Sequence, residues 1–384
     1  MEASPDALSS LVETRRVLVT VGAGGVGKTT TAAALGVAAA RRGKRVLCLT
    51  IDPAKRLAES LGIGEMTTEA VTVDKARFAA AGWPITGSLT AMMLDTKRTF
   101  DELVLKYSSS RGKADKLLGN RLYQYVSTSL AGTQEYMAME KLVAVKEDGQ
   151  YDLIVLDTPP TANALDFLDA PERLIEALDS ATMKWFVEAF QSTGKFSLNL
   201  VAKSAAAVLR GIGKITGGGF LEAMAEFIAE LNELFGGFKE RAGRVQRTLR
   251  GSDVAFVLVT SPSPPAIKEV LYFMERLEEA RMPRGALVVN RFHLPPPFPD
   301  GLTAADAAAG IAARGLALED DAAERVAQAH ADQLKLAALD AAHVRALGAG
   351  AAATPIVRVA ELDTDVHDLT LLAQVSDVLM RGGV

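Results

Sequence analysis

Residues Val19–Leu35 read VTVGAGGVGKTTTAAAL, and few stretches leave a chain so little choice of fold. Apolar and β-branched residues lead into four glycines within six positions, and an alanine-rich run follows at once. A buried parallel strand, a tight loop and a helix are the only elements that fit in that order. The loop satisfies two fingerprints. Gly22, Gly24 and Gly27 spell the dinucleotide pattern G-x-G-x-x-G, while Gly22, Gly27, Lys28 and Thr29 spell the phosphate-loop pattern G-x-x-x-x-G-K-T.

Chemistry separates the two. A dinucleotide loop has no use for a lysine directly after its third glycine. A triphosphate does, because Lys28 can reach the β- and γ-phosphates and the Thr29 hydroxyl can ligate Mg²⁺. Gly24, Gly25, Val26, Gly27, Lys28, Thr29 and Thr30 are therefore the candidate phosphate cradle, with backbone N–H groups curled around oxygens at a helix N-terminus. Asp52 ends the strand Arg45–Asp52 about where a ribose-binding acid would sit in a dinucleotide fold, but Pro53 turns the chain immediately after it. A second strand, Asp152–Asp157, also ends in a carboxylate, as a metal-linked acid beside a phosphate loop requires. Asp157 is that candidate, placed in the second shell of the metal.

Further strands are predicted over Leu89–Leu94, Asp253–Thr260, Gly285–Asn290 and Pro355–Val359, with helices over Thr29–Arg42, Thr96–Tyr107 and Gly132–Lys146. Alternating strands and helices predict an α/β P-loop NTPase fold: a mostly parallel sheet with helices on both faces. Ligands then bind at the carboxyl ends of the strands, which puts Asp52, Asp157 and Asn290 on one rim. The whole chain, 1–384, reads as one such domain with no internal repeat. Residues 171–250 show no strand signal and read as an inserted helical subdomain. Within it Phe220, Leu221, Met224, Phe227, Ile228, Leu231, Leu234 and Phe235 recur at helical spacing opposite four glutamates. Such a face ordinarily packs inside its own subdomain. The basic stretch Lys203–Lys214 implies at most peripheral membrane contact.

Composition closes other routes. The net charge of −5 argues against a broad basic face for nucleic acid. Cys48 is the one cysteine, so an intrachain disulfide and a cysteine-rich metal site are excluded. The first residues are polar and acidic and do not read as a secretory signal, and the chain reads as cytoplasmic. The alanine runs elsewhere imply no function by themselves.

Three motifs together carry a family resemblance. GGVGKTT (Gly24–Thr30), TIDPA (Thr50–Ala54) and LDTPPTANALDFL (Leu156–Leu168) resemble the loop, switch I and switch II of the ArsA-type ATPases, a family that includes the arsenite-pump ATPase and the guided-entry targeting ATPase for tail-anchored membrane proteins. LVVNRF (Leu287–Phe292) resembles that family's adenine-recognition strand. GTQEYMAMEKL (Gly132–Leu142) and ELDTDVHDL (Glu361–Leu369) are similar to its bacterial branch. The resemblance implies ATP hydrolysis with Mg²⁺, a catalytic Lys28, an Asp52 that orients the attacking water, an Asp157 that senses the metal, and Asn290 with Arg291 at the adenine. It also implies a nucleotide-dependent dimer, as homodimer or as heterodimer with a related ATPase subunit, and an apolar protein client, for which Phe220, Met224, Phe227, Ile228, Leu231 and Phe235 would line a groove as the alternative to packing inside their own subdomain. A partitioning-type ATPase and a nucleotide-gated scaffold with little turnover are the competing readings; the acidic balance counts against the first.

Three positions depart from the family. Ala23 stands where the family usually has a lysine that reaches the partner's nucleotide. Ala162 and Asn163 stand where switch II usually has Gly-His. A lone Cys48 rules out both the zinc clamp of the eukaryotic branch and arsenite capture by a thiol triad. Lys28 is the cationic side chain of the loop, so Lys28→Ala is expected to lower steady-state ATP turnover by at least about a hundredfold. A phosphate-release assay that finds near wild-type turnover would refute the assignment.

Overall fold

The computed structural model of the protein describes residues 7–51, 56–63, 69–121, 123–124, 127, 133–158, 227, 240–298, 300–317, 319–351 and 354–383. The chain divides into two units, one drawn from Met1–Met92, Tyr151–Ala164 and Ser252–Val384, the other from Met93–Gln150 and Leu165–Gly251.

The first unit is built on one sheet. Its elements in chain order are α1 (Ala7–Thr14), β1 (Val17–Val21), α2 (Lys28–Arg41), β2 (Arg45–Thr50), α3 (Arg56–Ser60), β3 (Val71–Thr72), α4 (Lys75–Ala80) and β4 (Ser88–Met93). In the second unit follow α5 (Thr96–Tyr107), α6 (Arg111–Gly119) and α7 (Thr133–Asp148). The sheet unit resumes with β5 (Leu153–Asp157), β6 (Val254–Thr260), α8 (Pro264–Glu279), β7 (Arg284–Phe292), α9 (Ala304–Ala313), α10 (Ala322–Gly350), β8 (Ile356–Ala360) and α11 (Leu369–Met380).

Eight strands form one sheet in the order β3-β4-β2-β5-β1-β6-β7-β8. β1 lies between β5 and β6, parallel to both, and β2–β5, β6–β7 and β7–β8 are parallel as well. Short β3 runs antiparallel to β4 at the edge. Every residue of β1, β5 and β6 is buried, as a parallel sheet covered on both faces requires. From β1 the chain crosses through α2 toward β2, in one direction along the sheet; from β6 it crosses through α8 toward β7, in the other. Right-handed crossovers of opposite direction place α2 and α8 on opposite faces. α11 and α1 pack with α2, and α10 packs with α8. The order of connections reverses between β1 and β6, which makes the carboxyl end of β1 the switch point where open sheets take their ligands.

The alanines of α2 have a packing reason. Ala32–Ala34 and Ala38–Ala40 are at most 1% exposed, so the helix is buried along much of its circumference and small side chains let it approach sheet and neighbouring helices closely. A Cβ at Gly36 would stand 2.5 Å from Cys48 Sγ on β2. α1 carries Leu8, Leu11 and Val12 into the core at i, i+3, i+4 spacing.

The second unit shows a polar cluster inside helices. Arg241, in the helical segment 240–249, lies 3.4 Å from Glu140 of α7, and both side chains are buried. Tyr136 donates to Glu140, and the Arg241 guanidinium stacks 3.8 Å from the ring centre of Tyr107. Burial and the Glu140 charge push the Tyr136 hydroxyl far above its ordinary range. Apart from Phe227, which is helical and half-buried, the apolar face Phe220–Phe235 lies outside the described residues, as do most of 171–250. Among the described residues no helix is long and apolar enough to cross a membrane.

Cys48 is fully buried on β2, and burial, aided by the nearby Asp157 charge, pushes its thiol up to about 12. The thiolate forms only as pH nears that value, so at pH 8 the side chain is a neutral apolar group. Iodoacetamide at pH 8 is expected to label Cys48 only after denaturation; rapid labelling of the folded protein, followed by mass spectrometry, would contradict this packing.

Candidate functional site

The phosphate loop rests on the ends of two strands it does not belong to. Gly22 leaves β1 with φ +153°, and a Cβ there would stand 2.0 Å from the carbonyl oxygen of Val259 on β6. Gly27 closes the loop at φ +96°, in the left-handed region, and a Cβ there would stand 2.2 Å from Nδ2 of Asn290 on β7. Two glycines of the motif are thus required by close approach as well as by backbone conformation. Gly25, also at positive φ, has open space around it and lies exposed with Gly24.

α2 starts directly at Lys28. Gly27 is its N-cap and supplies no side-chain cap, so the first-turn N–H groups and the positive end of the helix dipole are turned to the loop. Thr31 donates backbone and hydroxyl hydrogens to Gly27 O, each at 2.9 Å, which ties the first turn to the cap. Thr29 and Thr30 remain half-buried at the helix start. Lys28 is 6% exposed, and its Nζ donates to Ala23 O at 2.7 Å, folding the side chain across the loop. An ammonium at this depth gains from any anion brought to the loop. This is a cradle for phosphate: backbone donors, a helix dipole and one buried cation around a ring of glycines.

The second acid comes in from β5. Asp157 pairs in register with Thr20 of β1 and Thr50 of β2, and is 1% exposed. The Thr50 hydroxyl donates to Asp157 Oδ2 at 3.1 Å. Thr158, the next residue, donates its hydroxyl to Thr20 O at 2.8 Å, and Thr20 in turn donates to Leu156 O at 3.3 Å. Strand adjacency therefore brings the loop of β1 and the acid of β5 to one end of the sheet. The threonines that hold them there are visible in the sequence as members of the motifs, but their bonds cross between strands 107 to 138 positions apart and have no local signature.

β7 completes the rim. Asn290 Nδ2 donates to Val26 O at 2.9 Å. The pairing of β7 with β8 shifts between Val289 and Phe292, and Arg291, exposed in that bulge, sits at φ +58°. Asp52 lies outside the described residues, together with 53–55 and with the switch II positions 159–168. The residues brought together are the loop 22–30, Thr50, Asp157 and Asn290.

A glycine loop at the switch point of a parallel sheet, with a buried acid on the adjacent strand, defines a P-loop nucleoside triphosphatase. Comparison with known proteins narrows the class. The profile of the anion-transporting ATPase family, ArsA_ATPase, matches residues 15–304, and the chain belongs to that family of ATP hydrolases. It is similar to ATPase GET3 of Malassezia globosa, with 26% identity over 300 residues that span 77% of this chain and 79% of that protein. ATPase get3 of Aspergillus terreus is 27% identical over 292 residues, 75% of this chain and 77% of its own. ATPase ASNA1 homolog 1 of Paramecium tetraurelia reaches 30% identity over 160 residues, 41% of this chain and 44% of its own.

The unequal surroundings of the glycines make a test. Gly22→Ala drives a methyl group into a backbone oxygen and is expected to destabilise the protein by about 2–4 kcal/mol. Gly25→Ala meets only the cost of its positive φ, about 1 kcal/mol. Thermal melts in which the two variants lose equal stability would overturn the seating of the loop on β6.

Proposed function

We propose that this chain uses ATP and Mg²⁺ to drive a conformational switch that handles an apolar segment of a protein client, as one subunit of a homodimer or of a heterodimer with a related ATPase. The observation that carries the reading is the adjacency of β1 and β5, which sets a phosphate cradle beside the buried carboxylate of Asp157. The similarity to proteins named ATPase GET3 supports the same direction.

The residues suit the metal. Thr29, half-buried at the first turn of α2, offers a hydroxyl oxygen, and Asp157 offers a carboxylate already oriented by Thr50. Thr29 would ligate Mg²⁺ directly and Asp157 would act from behind through water; the metal would supply charge neutralisation at the phosphates. Lys28 leaves Ala23 O for the phosphates and offsets developing negative charge. Asp52 aligns water for in-line attack, and Asn290 and Arg291 lie on the side of the base. The apolar face of Phe220, Met224, Phe227, Ile228, Leu231 and Phe235 is the client groove in this reading.

One position favours a slow switch. At residue 23 the loop presents only a methyl group and a carbonyl, the latter bound by Lys28. Without a cation from the partner at that position, the γ-phosphate in transit relies on Lys28 and the metal, and a missing cation of this kind costs about 10³–10⁵ in rate. A nucleotide-gated scaffold is the limiting case.

Asp52→Asn keeps the shape of the side chain and removes the charge that orients water. It is expected to retain ATP binding in calorimetry with Mg²⁺ and to lower turnover by about 10²–10⁴, while Ala23→Lys, assayed beside it, is expected to raise turnover. Loss of ATP binding in Asp52→Asn would make Asp52 a binding residue, and fast wild-type turnover indifferent to residue 23 would refute the slow switch.

A further inference from the structure

Asn290 is held by the phosphate loop itself. Its Nδ2 donates to Val26 O at 2.9 Å, and the same atom occupies the space a Cβ of Gly27 would need, at 2.2 Å. Both place the one amide nitrogen against consecutive loop residues. The second lies at the N-cap of α2, so the amide bears on the point from which the first-turn N–H groups are aimed. Asn290 in turn stands where β7 leaves its partners: pairing with β6 ends at Thr260 with Val289, and pairing with β8 resumes only at Phe292. The bulge at 290–291, with Arg291 at φ +58°, turns the strand end toward the loop.

We propose that Asn290 is a positioning residue for the phosphate loop: by anchoring Val26 and packing on Gly27 it holds the cradle in its phosphate-binding shape, and it links that shape to occupancy of the base side. The second half rests on the nucleotide reading of the site. A carboxamide has two donor hydrogens and one acceptor. Val26 O takes one donor, which leaves one donor and the acceptor, the pair that complements N7 and the N6 amino group of adenine. One planar group then serves both ends of the nucleotide, and any rotation that improves one contact is felt by the other. Releasing the anchor leaves the Val26 carbonyl without this donor and lets the left-handed turn at Gly27 relax, so phosphate binding weakens even when no base is present.

Inorganic tripolyphosphate with Mg²⁺ is the discriminating probe, because it has phosphates and no base. Calorimetry on the full chain compares ATP and tripolyphosphate for wild type, Asn290→Ala and Asn290→Asp. Asn290→Asp keeps the volume of the side chain and places an oxygen where the donor was, so it decides the matter if Asn290→Ala fails to fold in thermal melts. Both variants are expected to lose about three- to tenfold in affinity for tripolyphosphate, the scale of one hydrogen bond, and at least as much for ATP. KM for ATP should rise in both variants in step with the loss of tripolyphosphate affinity. Loss of ATP affinity with tripolyphosphate binding intact would overturn the anchoring role and leave the base contact standing. Unchanged affinity for both would overturn the whole proposal. Failure of wild type to bind either ligand would refute the nucleotide reading on which its second half rests.

Discussion

The closest constraint in this protein is the approach of the glycine loop to β6. Gly22 lies so near Val259 O that a single added carbon would collide with it at 2.0 Å. Because that contact is backbone on backbone, no rotamer change relieves it. It sets the height of the loop over the sheet, and the remainder of the site follows from that height. Gly27 meets Asn290 of β7, α2 begins at Lys28 without a side-chain cap, and the buried ammonium folds back to Ala23 O. An anion-binding surface arises because backbone donors are left turned toward the loop by the way the helix is seated, with the Lys28 ammonium beside them.

Two charged groups are buried at the site. The Ala23 carbonyl accepts from Lys28, and the Thr50 hydroxyl donates to Asp157, so each side chain is held in place at its end of the sheet. The influence of Asp157 is felt by Cys48 one strand away, where it adds to burial in keeping the thiol neutral. The single cysteine of the chain is thereby a neutral part of the core.

The two units use polar burial differently. In the sheet unit, buried hydroxyls tie strand to strand, as Thr158 does to Thr20 O and Thr50 to Asp157. In the helical unit, the pair Glu140–Arg241 is surrounded by aromatic rings, with Tyr136 as a donor and Tyr107 under the guanidinium. A buried ion pair of this sort is costly to break because removing one partner strands the other.

Much of the architecture is legible in the sequence because it depends on local period and local chemistry. The strand before the loop, the helix after it and the strands near 45, 88, 153, 254, 285 and 356 all lie within two residues of their positions in the structure, since runs of β-branched residues and alanines act within a few residues of themselves. Lys28, Thr29 and the glycines are equally local: the motif requires one loop. The predicted strand over Gly285–Asn290 instead continues to Phe292, because β8 supports it beyond the end of β6 and a bulge absorbs the change of partner. α1 has no clear signature in the sequence, since Leu8, Leu11 and Val12 in a helix of eight residues are too few to set a period, and two-residue β3 exists only by pairing with β4. The neighbours of β1 were decided in space, and with them the meeting of Asp157 with the loop. So was the hold of Asn290 on Val26, residues 264 positions apart: period and propensity act over a turn or a strand, while strand order and backbone contact are settled only when the whole sheet closes around its core.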